Sequence, residues 1–381
     1  MLAPRVLWMA DAALADEEGH GLKMPTADEL LGASVVDDLI ECLGGTMPAT
    51  SATTASFTGL SLSDRARLVR DALLTDLPDS YVPFEKSVRK ALRKKTFTGW
   101  MIWPVSEAVA TRATAEGPAE FDAGLALLKD LTSRLSGEFA IRTFMDSDLD
   151  VTLAAALGWT EHPDEHVRRL ASEGTRLYLP WARRVRALTA RPDATIAILD
   201  ALYRDESEYV RRSVANHLND LSRTDPALVV EQARKWSDQP DVNTPKLVRH
   251  ALRTLIKKGN PDALALLGFA PPDGVTVAGL TVTPSHVQAG GDMRLRFEIS
   301  ASSRQAVAID YVIHHVRANG GRTPKVFKLT TRTLEPGVGV VVEKSHSFRP
   351  ITTRRYYPGE HMLEIQVNGS TLASTIFQVT P

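Results

Sequence analysis

With a single cysteine in 381 residues, Cys42, the chain cannot close an intramolecular disulfide or build a multi-cysteine zinc or iron–sulfur site. A reducing compartment suits it, and the cytoplasm is the expected location. No apolar run approaches the roughly 18 residues that a membrane span needs, so no membrane partner is expected. The opening segment MLAPRVLWMADAALADEE starts apolar but has one early arginine and soon turns acidic, which argues against a cleaved signal peptide. Net charge is missing as well: 45 basic and 46 acidic side chains leave −1, with a pI near 6.8, unlike a histone-like or coat protein. Affinity for a polyanion would therefore have to come from where the charges sit. Also absent are a glycine-rich phosphate loop, a G-x-S-x-G elbow and an H-E-x-x-H pair. His162 and His166 are four apart but have no third ligand nearby, and His314 and His315 fall on opposite faces of a strand. No metal and no cofactor is expected.

What the chain does have is self-similarity. The blocks Val167-Arg168-Arg169, Val210-Arg211-Arg212 and Val248-Arg249-His250 recur 43 and then 38 residues apart, close to the roughly 40 to 47 residue period of HEAT-type helical repeats. Aligning them places Arg169, Glu173 and Arg176 in register with Arg212, Asn216 and Asn219, and with His250, Thr254 and Lys257. Equivalent helices of a solenoid line one surface, so this polar, mostly basic stripe predicts a continuous wall suited to a polyanion. Charge is distributed to match. Residues 1–80 hold 5 basic and 13 acidic side chains, whereas residues 160–260 hold 18 basic and 14 acidic.

Length predicts two or three domains. Apolar residues keep helical spacing from about Thr26 to Leu267, with Pro163, Pro180, Pro226 and Pro245 marking helix starts and Gly174, Gly259 and Gly268 marking stops. Met47 to Thr58, rich in Ser, Thr and Ala, reads as an exposed loop, and the first 25 residues as a poorly ordered segment. After Ala270-Pro271-Pro272 the period switches to two, and about seven short alternating runs follow. The expected architecture is mostly α: a HEAT-like α-helical solenoid over residues 26–269, then an all-β immunoglobulin-like sandwich over 270–381. The sandwich rests on strand count and spacing alone, for the cysteine pair of antibody domains is missing.

Two carboxylates interrupt the basic stripe. Glu173 lies between Arg169 and Arg176, and Asp220 follows Asn216 and Asn219 on a helix whose other face is Val210, Val214, Leu218 and Leu221. A carboxylate inside a basic wall weakens phosphate binding, so both invite a chemical role. The plainer alternative is ordinary ion pairing with neighbouring arginines at helical spacing. Trp181, after Pro180, is open between a groove-facing platform and an interhelical core position beside Val185 and Leu188. Arg354-Arg355-Tyr356-Tyr357 is open between a nucleic-acid contact and a solvated turn.

The stretches Glu138–Phe144 (EFAIRTF), His166–Arg184 (HVRRLASEGTRLYLPWARR) and Glu208–Pro226 (EYVRRSVANHLNDLSRTDP) resemble the bacterial AlkC/AlkD-like alkylpurine DNA glycosylases, the AlkC branch more closely. The resemblance covers most of residues 30–268, and part of that branch carries an appended immunoglobulin-like domain. It implies hydrolysis of the N-glycosidic bond of cationic N-alkylated bases in double-stranded DNA: 3-methyladenine first, with 3-methylcytosine and 1-methyladenine as further candidates. It implies Glu173, Asp220 and Trp181 near the lesion. Arg142, Arg169, Arg176, Arg212, Asn216, Asn219, Lys246, Arg249, Arg253 and Lys257 are then expected along the DNA. A monomeric, monofunctional enzyme is expected, since no lysine is matched to a nucleophile's role. The competing classes are a non-catalytic HEAT scaffold and a damaged- or branched-DNA-binding protein without base excision.

Overall fold

A computed structural model describes residues 25–349 and 355–381. The expectation for the first 25 residues, and Arg354 of the basic aromatic loop, fall outside the described residues, apart from Pro25. The chain divides into two compact units, one running to Leu228 and taking in Gln239–Ala251, the other comprising Val229–Asp238 and Leu252–Pro381.

In the first unit, α1 (Ala27–Leu30), α2 (Ala33–Leu43), α3 (Pro48–Ala52), α4 (Leu62–Asp76), α5 (Tyr81–Leu92), α6 (Ile102–Thr114) and α7 (Pro118–Leu131) lead into the helices of the repeats. These are α8 (Ile141–Ser147), α9 (Leu149–Trp159), α10 (Glu165–Glu173), α11 (Arg186–Ala190), α12 (Ile196–Leu202), α13 (Glu208–Leu221), α14 (Pro226–Asp238), which the division between units crosses, and α15 (Thr244–Ala251). The equivalent helices stack as a solenoid requires, α10 on α13 and α13 on α15.

A structural use for the first arginine of the repeated block explains its recurrence. Arg168 donates to the carbonyls of His162 and Pro163, and Arg211, 43 positions on, donates to those of Asp205 and Glu206, the same steps back along the chain. Each guanidinium ties down the turn that enters its own helix, satisfying carbonyls that no helix bond reaches.

Three local expectations change. Met47–Thr58 is not a loop: α3 and a 3-10 turn, Thr53–Ser56, occupy it, with Thr50 and Thr53 buried. Its cap comes from α4, where Asp76 accepts from the backbone N–H of Ala49 (3.1 Å) and Thr50 (2.7 Å), a partner some 26 residues away that no local pattern reveals. Pro180 starts no helix. Residues 174–185 form a series of turns, and the next helix is α11. Gly174 is no left-handed stop either, since its φ is −64°; a Cβ there would lie 2.8 Å from Ile141 Cγ2 and from the Leu170 carbonyl oxygen, so close packing is what demands glycine.

The second unit holds α16 (Arg253–Lys257), α17 (Pro261–Leu266) and eight strands among the described residues: β1 (Val275–Thr283), β2 (His286–Gln288), β3 (Asp292–Ala301), β4 (Gln305–Val316), β5 (Arg322–Leu334), β6 (Val340–Ser347), β7 (Gly359–Val367) and β8 (Ser370–Thr380). They form a three-stranded sheet, β1-β3-β6, and a five-stranded sheet, β2-β8-β7-β4-β5, with only β2 parallel to its neighbour. The inward residues of the alternating strands, among them Leu295, Phe297, Ile309, Ile313, Leu363 and Phe377, make one shared core. β2 escapes sequence reading because three residues are too few to show a period. Of the basic aromatic loop, Tyr356 packs against Phe348 and His315, while Arg355 lies over the Tyr357 ring.

Candidate active site

Two helices and one irregular loop build the site. Asp164 caps α10 by accepting from the His166 N–H, and the helix ends on Glu173. The loop that follows, residues 174–185, is pinned by Arg142 of α8, whose guanidinium donates to the carbonyls of Arg176 (3.0 Å), Gly174 (3.4 Å) and Arg183. Leu177, Leu179 and Val185 of the loop are buried. Trp181 is not: its side chain is 60% exposed and its backbone sits at φ +62°. A bulky residue held in the left-handed region stores strain of order 1–3 kcal/mol, and such strain collects at functional sites. The core position beside Val185 and Leu188 is therefore excluded for Trp181.

Beneath this loop runs a chain of buried charges. Arg176 donates to Glu173 Oε1 (2.6 Å) and, through Nε, to Asp220 Oδ2 on α13 (2.9 Å). Arg169 reaches back to Glu173 (3.6 Å) and bonds Glu138 (2.9 Å), while its guanidinium lies over the Tyr209 ring. All five side chains are under a tenth exposed. Three carboxylates against two guanidiniums leave one negative charge in the chain of ion pairs. Burying ions costs several kcal/mol each, and well-packed apolar residues would be at least as stable, so this network is poor evidence for stability and better evidence for chemistry.

The two carboxylates nearest the loop are tuned apart. Burial pushes Glu173 up, but the charges of Arg169 and Arg176 and the hydrogen bond from Arg176 more than offset it, holding it well below the usual carboxylate range. Burial also pushes Asp220 up; there Arg176 offsets less, the charge of Glu173 adds to the rise, and the result lies above the usual aspartate value. One carboxylate stays ionised while the other is readier to take a proton, which is how paired acids come to differ in role.

α13 is bolted to α10 beside this pair. His217 Nδ1 donates to the Ser172 carbonyl (2.8 Å), which can only accept; Nε2 then accepts from the Thr195 hydroxyl (3.1 Å), and Ser213 Oγ donates to Ser172 Oγ (3.0 Å). The fully buried ring is satisfied as the neutral tautomer, and burial brings it down from 6.5 to about 3. Between those pH values the unfolded chain binds a proton that the folded one refuses, so stability is full above pH 6.5 and falls as the pH drops toward about 3. Thermal unfolding followed across that range should show a shallower slope in His217→Gln than in the wild type.

The sequence-predicted residues divide between the interior and the surface. Glu173, Asp220, Arg169 and Arg176 come together, but in the interior rather than on an open basic wall; Asn216 and Asn219 are buried on the helix that carries Asp220, and Asn216 Oδ1 accepts from His250 Nε2 of α15 (2.9 Å). Arg142, Arg169 and Arg176, read from sequence as phosphate contacts, have their guanidiniums committed to carbonyls or carboxylates inside the protein, since arginines in a closed interior must be paired. On the surface of the first unit lie Arg212, close to Glu208, Lys246, bonded to the same Glu208 (2.7 Å), and Arg249, exposed and without an ion-pair partner among the described residues. Arg253 and Lys257 begin and end α16 in the second unit. His162 and His166 take up local roles, with His162 Nδ1 accepting from the Asp164 N–H and His166 edge-on to Tyr209. Among the described residues no cluster of three or more His, Cys, Asp or Glu is placed to hold a metal ion.

Glu138, Ser213 and His217 escaped the sequence reading. Ser213, His217 and Asp220 do share an i, i+4, i+7 face of α13, the signal that would have found them.

Two families match separate stretches of the chain. The family described as DNA alkylation repair enzyme matches residues 132–255, and that described as the C-terminal Ig-like domain of the uncharacterised protein YhaZ matches 276–381. The uncharacterized protein YhaZ of Bacillus subtilis (strain 168) is 36% identical over 320 residues, 84% of this chain and 88% of that one. The solved structure of the Pseudomonas fluorescens alkylpurine DNA glycosylase AlkC, bound to DNA containing an abasic site analog, is 33% identical, covers 94% of this chain and 100% of its own, and superposes with a TM-score of 0.80.

Proposed function

This chain belongs to the AlkC branch of the DNA alkylation repair enzymes, with a C-terminal immunoglobulin-like domain, and from that premise we propose that it hydrolyses the N-glycosidic bond of cationic N-alkylated bases in duplex DNA. 3-Methyladenine is the leading substrate, with 3-methylcytosine and 1-methyladenine as further ones, and the enzyme acts as a monofunctional glycosylase and a monomer. The observation that carries this reading is the pair Glu173 and Asp220, joined through Arg176 of the loop that also carries the exposed, strained Trp181.

The chemistry asks for little else. A base alkylated on a ring nitrogen is already positive and leaves as a neutral molecule, so no general acid is needed. The barrier lies in the sugar, whose C1′ acquires oxocarbenium character. A carboxylate about 4 Å from that charge, at an effective dielectric near 20, is worth around 4 kcal/mol, roughly a thousandfold in rate. Asp220 faces the sugar, orients the attacking water and accepts its proton as the C1′–O bond forms. Glu173 stays ionised and stabilises the same positive charge. Arg212, Lys246, Arg249, Arg253 and Lys257 remain the expected phosphate contacts among the residues named from sequence.

Trp181 gives this reading a clean probe. Glycine adopts φ +62° without strain, so Trp181→Gly should leave the unfolding temperature unchanged or raised. If the indole packs on the damaged nucleotide, excision should fall roughly tenfold to a hundredfold, the value of about 1–3 kcal/mol for one aromatic–base contact.

The direct test is chromatographic: free methylated bases released from methylated duplex DNA by the wild type. Release of 3-methyladenine without strand cleavage supports a monofunctional glycosylase. DNA binding with no base released removes the enzyme reading in favour of a damaged-DNA-binding protein, and the absence of both leaves a scaffold.

A further inference from the structure

The arginines that the repeat register nominates for phosphate nearest the carboxylates are spent inside the protein, which raises the question of which cations beside the site are unspent. Two stand out. Arg184, three residues after Trp181, and Arg223, three residues after Asp220, are both exposed, and neither forms an ion pair with a carboxylate among the described residues. Both guanidiniums lie over one ring, that of Tyr178, each Cζ 4.8 Å from its centroid. Their separation is therefore at most twice that distance. The ring is itself held in place, its hydroxyl 3.3 Å from Thr224 Oγ1, with Leu177 and Leu179 buried on either side of it in the chain. The Arg223 N–H donates to the Asp220 carbonyl (3.2 Å), so this cation is tied to the turn that carries the reactive carboxylate.

Two like charges gathered on one half-buried aromatic ring, each 4.8 Å from its centroid, repel each other. The ring's negative face recovers part of that cost, on the order of 0.5–1 kcal/mol for each exposed cation–π pair, and fixes where the guanidiniums point. An anion accepting from both would turn the repulsion into attraction, and the guanidinium fork matches the oxygens of a phosphodiester.

We propose that Tyr178, Arg184 and Arg223 form a phosphate clamp that grips the DNA backbone next to the damaged nucleotide. This rests on the glycosylase reading for the position of the damaged nucleotide, but not for the binding itself. The clamp reads no sequence. It holds the strand where Trp181 and the carboxylates can reach the sugar, and it supplies at the reactive centre the cations that Arg169 and Arg176 cannot offer.

The test is the salt dependence of binding to undamaged duplex DNA by the full chain with both arginines replaced, Arg184→Ala with Arg223→Ala. Removing one arginine from its phosphate should reduce the slope of log affinity against log salt by about 0.9, and the double variant should show nearly twice that reduction. Affinity near 0.1 M salt should drop roughly tenfold or more per arginine, the usual worth of a charged hydrogen bond. Because both side chains are exposed and lack ion-pair partners, the unfolding temperature should hold; should it fall, the pair Arg184→Gln with Arg223→Gln, which keeps most of the side-chain length, must show the same loss of slope. Unchanged slope and affinity in a folded variant overturn the clamp. Base release separates the two proposals: a wild type that binds DNA through these arginines but excises nothing overturns the function and leaves the clamp, whereas excision with an unchanged slope in the variant does the reverse.

Discussion

Base release by Asp220→Asn should be about a thousandfold slower than by the wild type at saturating DNA, while affinity for undamaged duplex stays within about threefold. The rate loss is the electrostatic worth of one carboxylate about 4 Å from the sugar cation, together with the proton acceptor that the attacking water needs. Asparagine keeps the size of the side chain and an oxygen for Arg176 Nε, so the pair at 2.9 Å survives in form. The variant should be no less stable than the wild type. Burial holds Asp220 above the ordinary aspartate value, which means that the folded state disfavours its charge; its contribution to stability is present below the unfolded pKa and is lost as the pH rises through the folded one. Removing the charge removes that loss at neutral pH. Catalysis needs the ionised form, so the wild-type rate should climb with pH through a value above 3.8, and this acid limb should disappear from the residual activity of the variant. Single-turnover kinetics on a duplex with one 3-methyladenine would measure both. A variant as fast as the wild type would sink the assignment.

Arg176→Met carries the largest stability effect. Among the described residues Arg176 is the side chain that bridges Glu173 and Asp220, and all three are buried. Methionine fills much of the space but leaves the two carboxylates without their shared cation, with Arg169 at 3.6 Å remaining for Glu173. Breaking a buried pair in this way costs about 3–5 kcal/mol, or roughly 6–20 °C in unfolding temperature for a unit of this size. The deficit should shrink as the pH is lowered, because carboxylates deprived of their cation have raised pKa values and lose their cost once protonated. Adding Asp220→Asn to Arg176→Met should restore part of the loss, and the departure from additivity measures the bridge. Additive effects, or a loss that ignores pH, would mean that the arginine acts through packing alone.

The legible parts of this protein are those governed by short-range periodicity. The recurrence of Val-Arg-Arg placed α10 and α13 in register, and its physical basis is now visible in Arg168 and Arg211, each tying down the turn at the same offset. The change of period after residue 270 marked where strands begin. Glu173 and Asp220 stood out because a carboxylate in a basic stripe needs a reason. What failed to show was any feature whose partner is distant in the chain. Asp76 makes a helix of Pro48–Ala52 from α4, Arg142 shapes the loop from 32 to 41 residues away, and Glu138 joins the ion network through Arg169.

Sequence alone determined that the chain is a helical repeat followed by a sandwich, because apolar period and repeat register are properties of neighbours three, four and about forty residues apart. Only the tertiary structure decided which arginines are free. Arg169, Arg176 and Arg184 are the same residue type within one motif, yet the first two are enclosed among carboxylates and the third lies exposed on Tyr178. A guanidinium's role depends on whether its charge is already matched, and that is fixed by what packing brings against it.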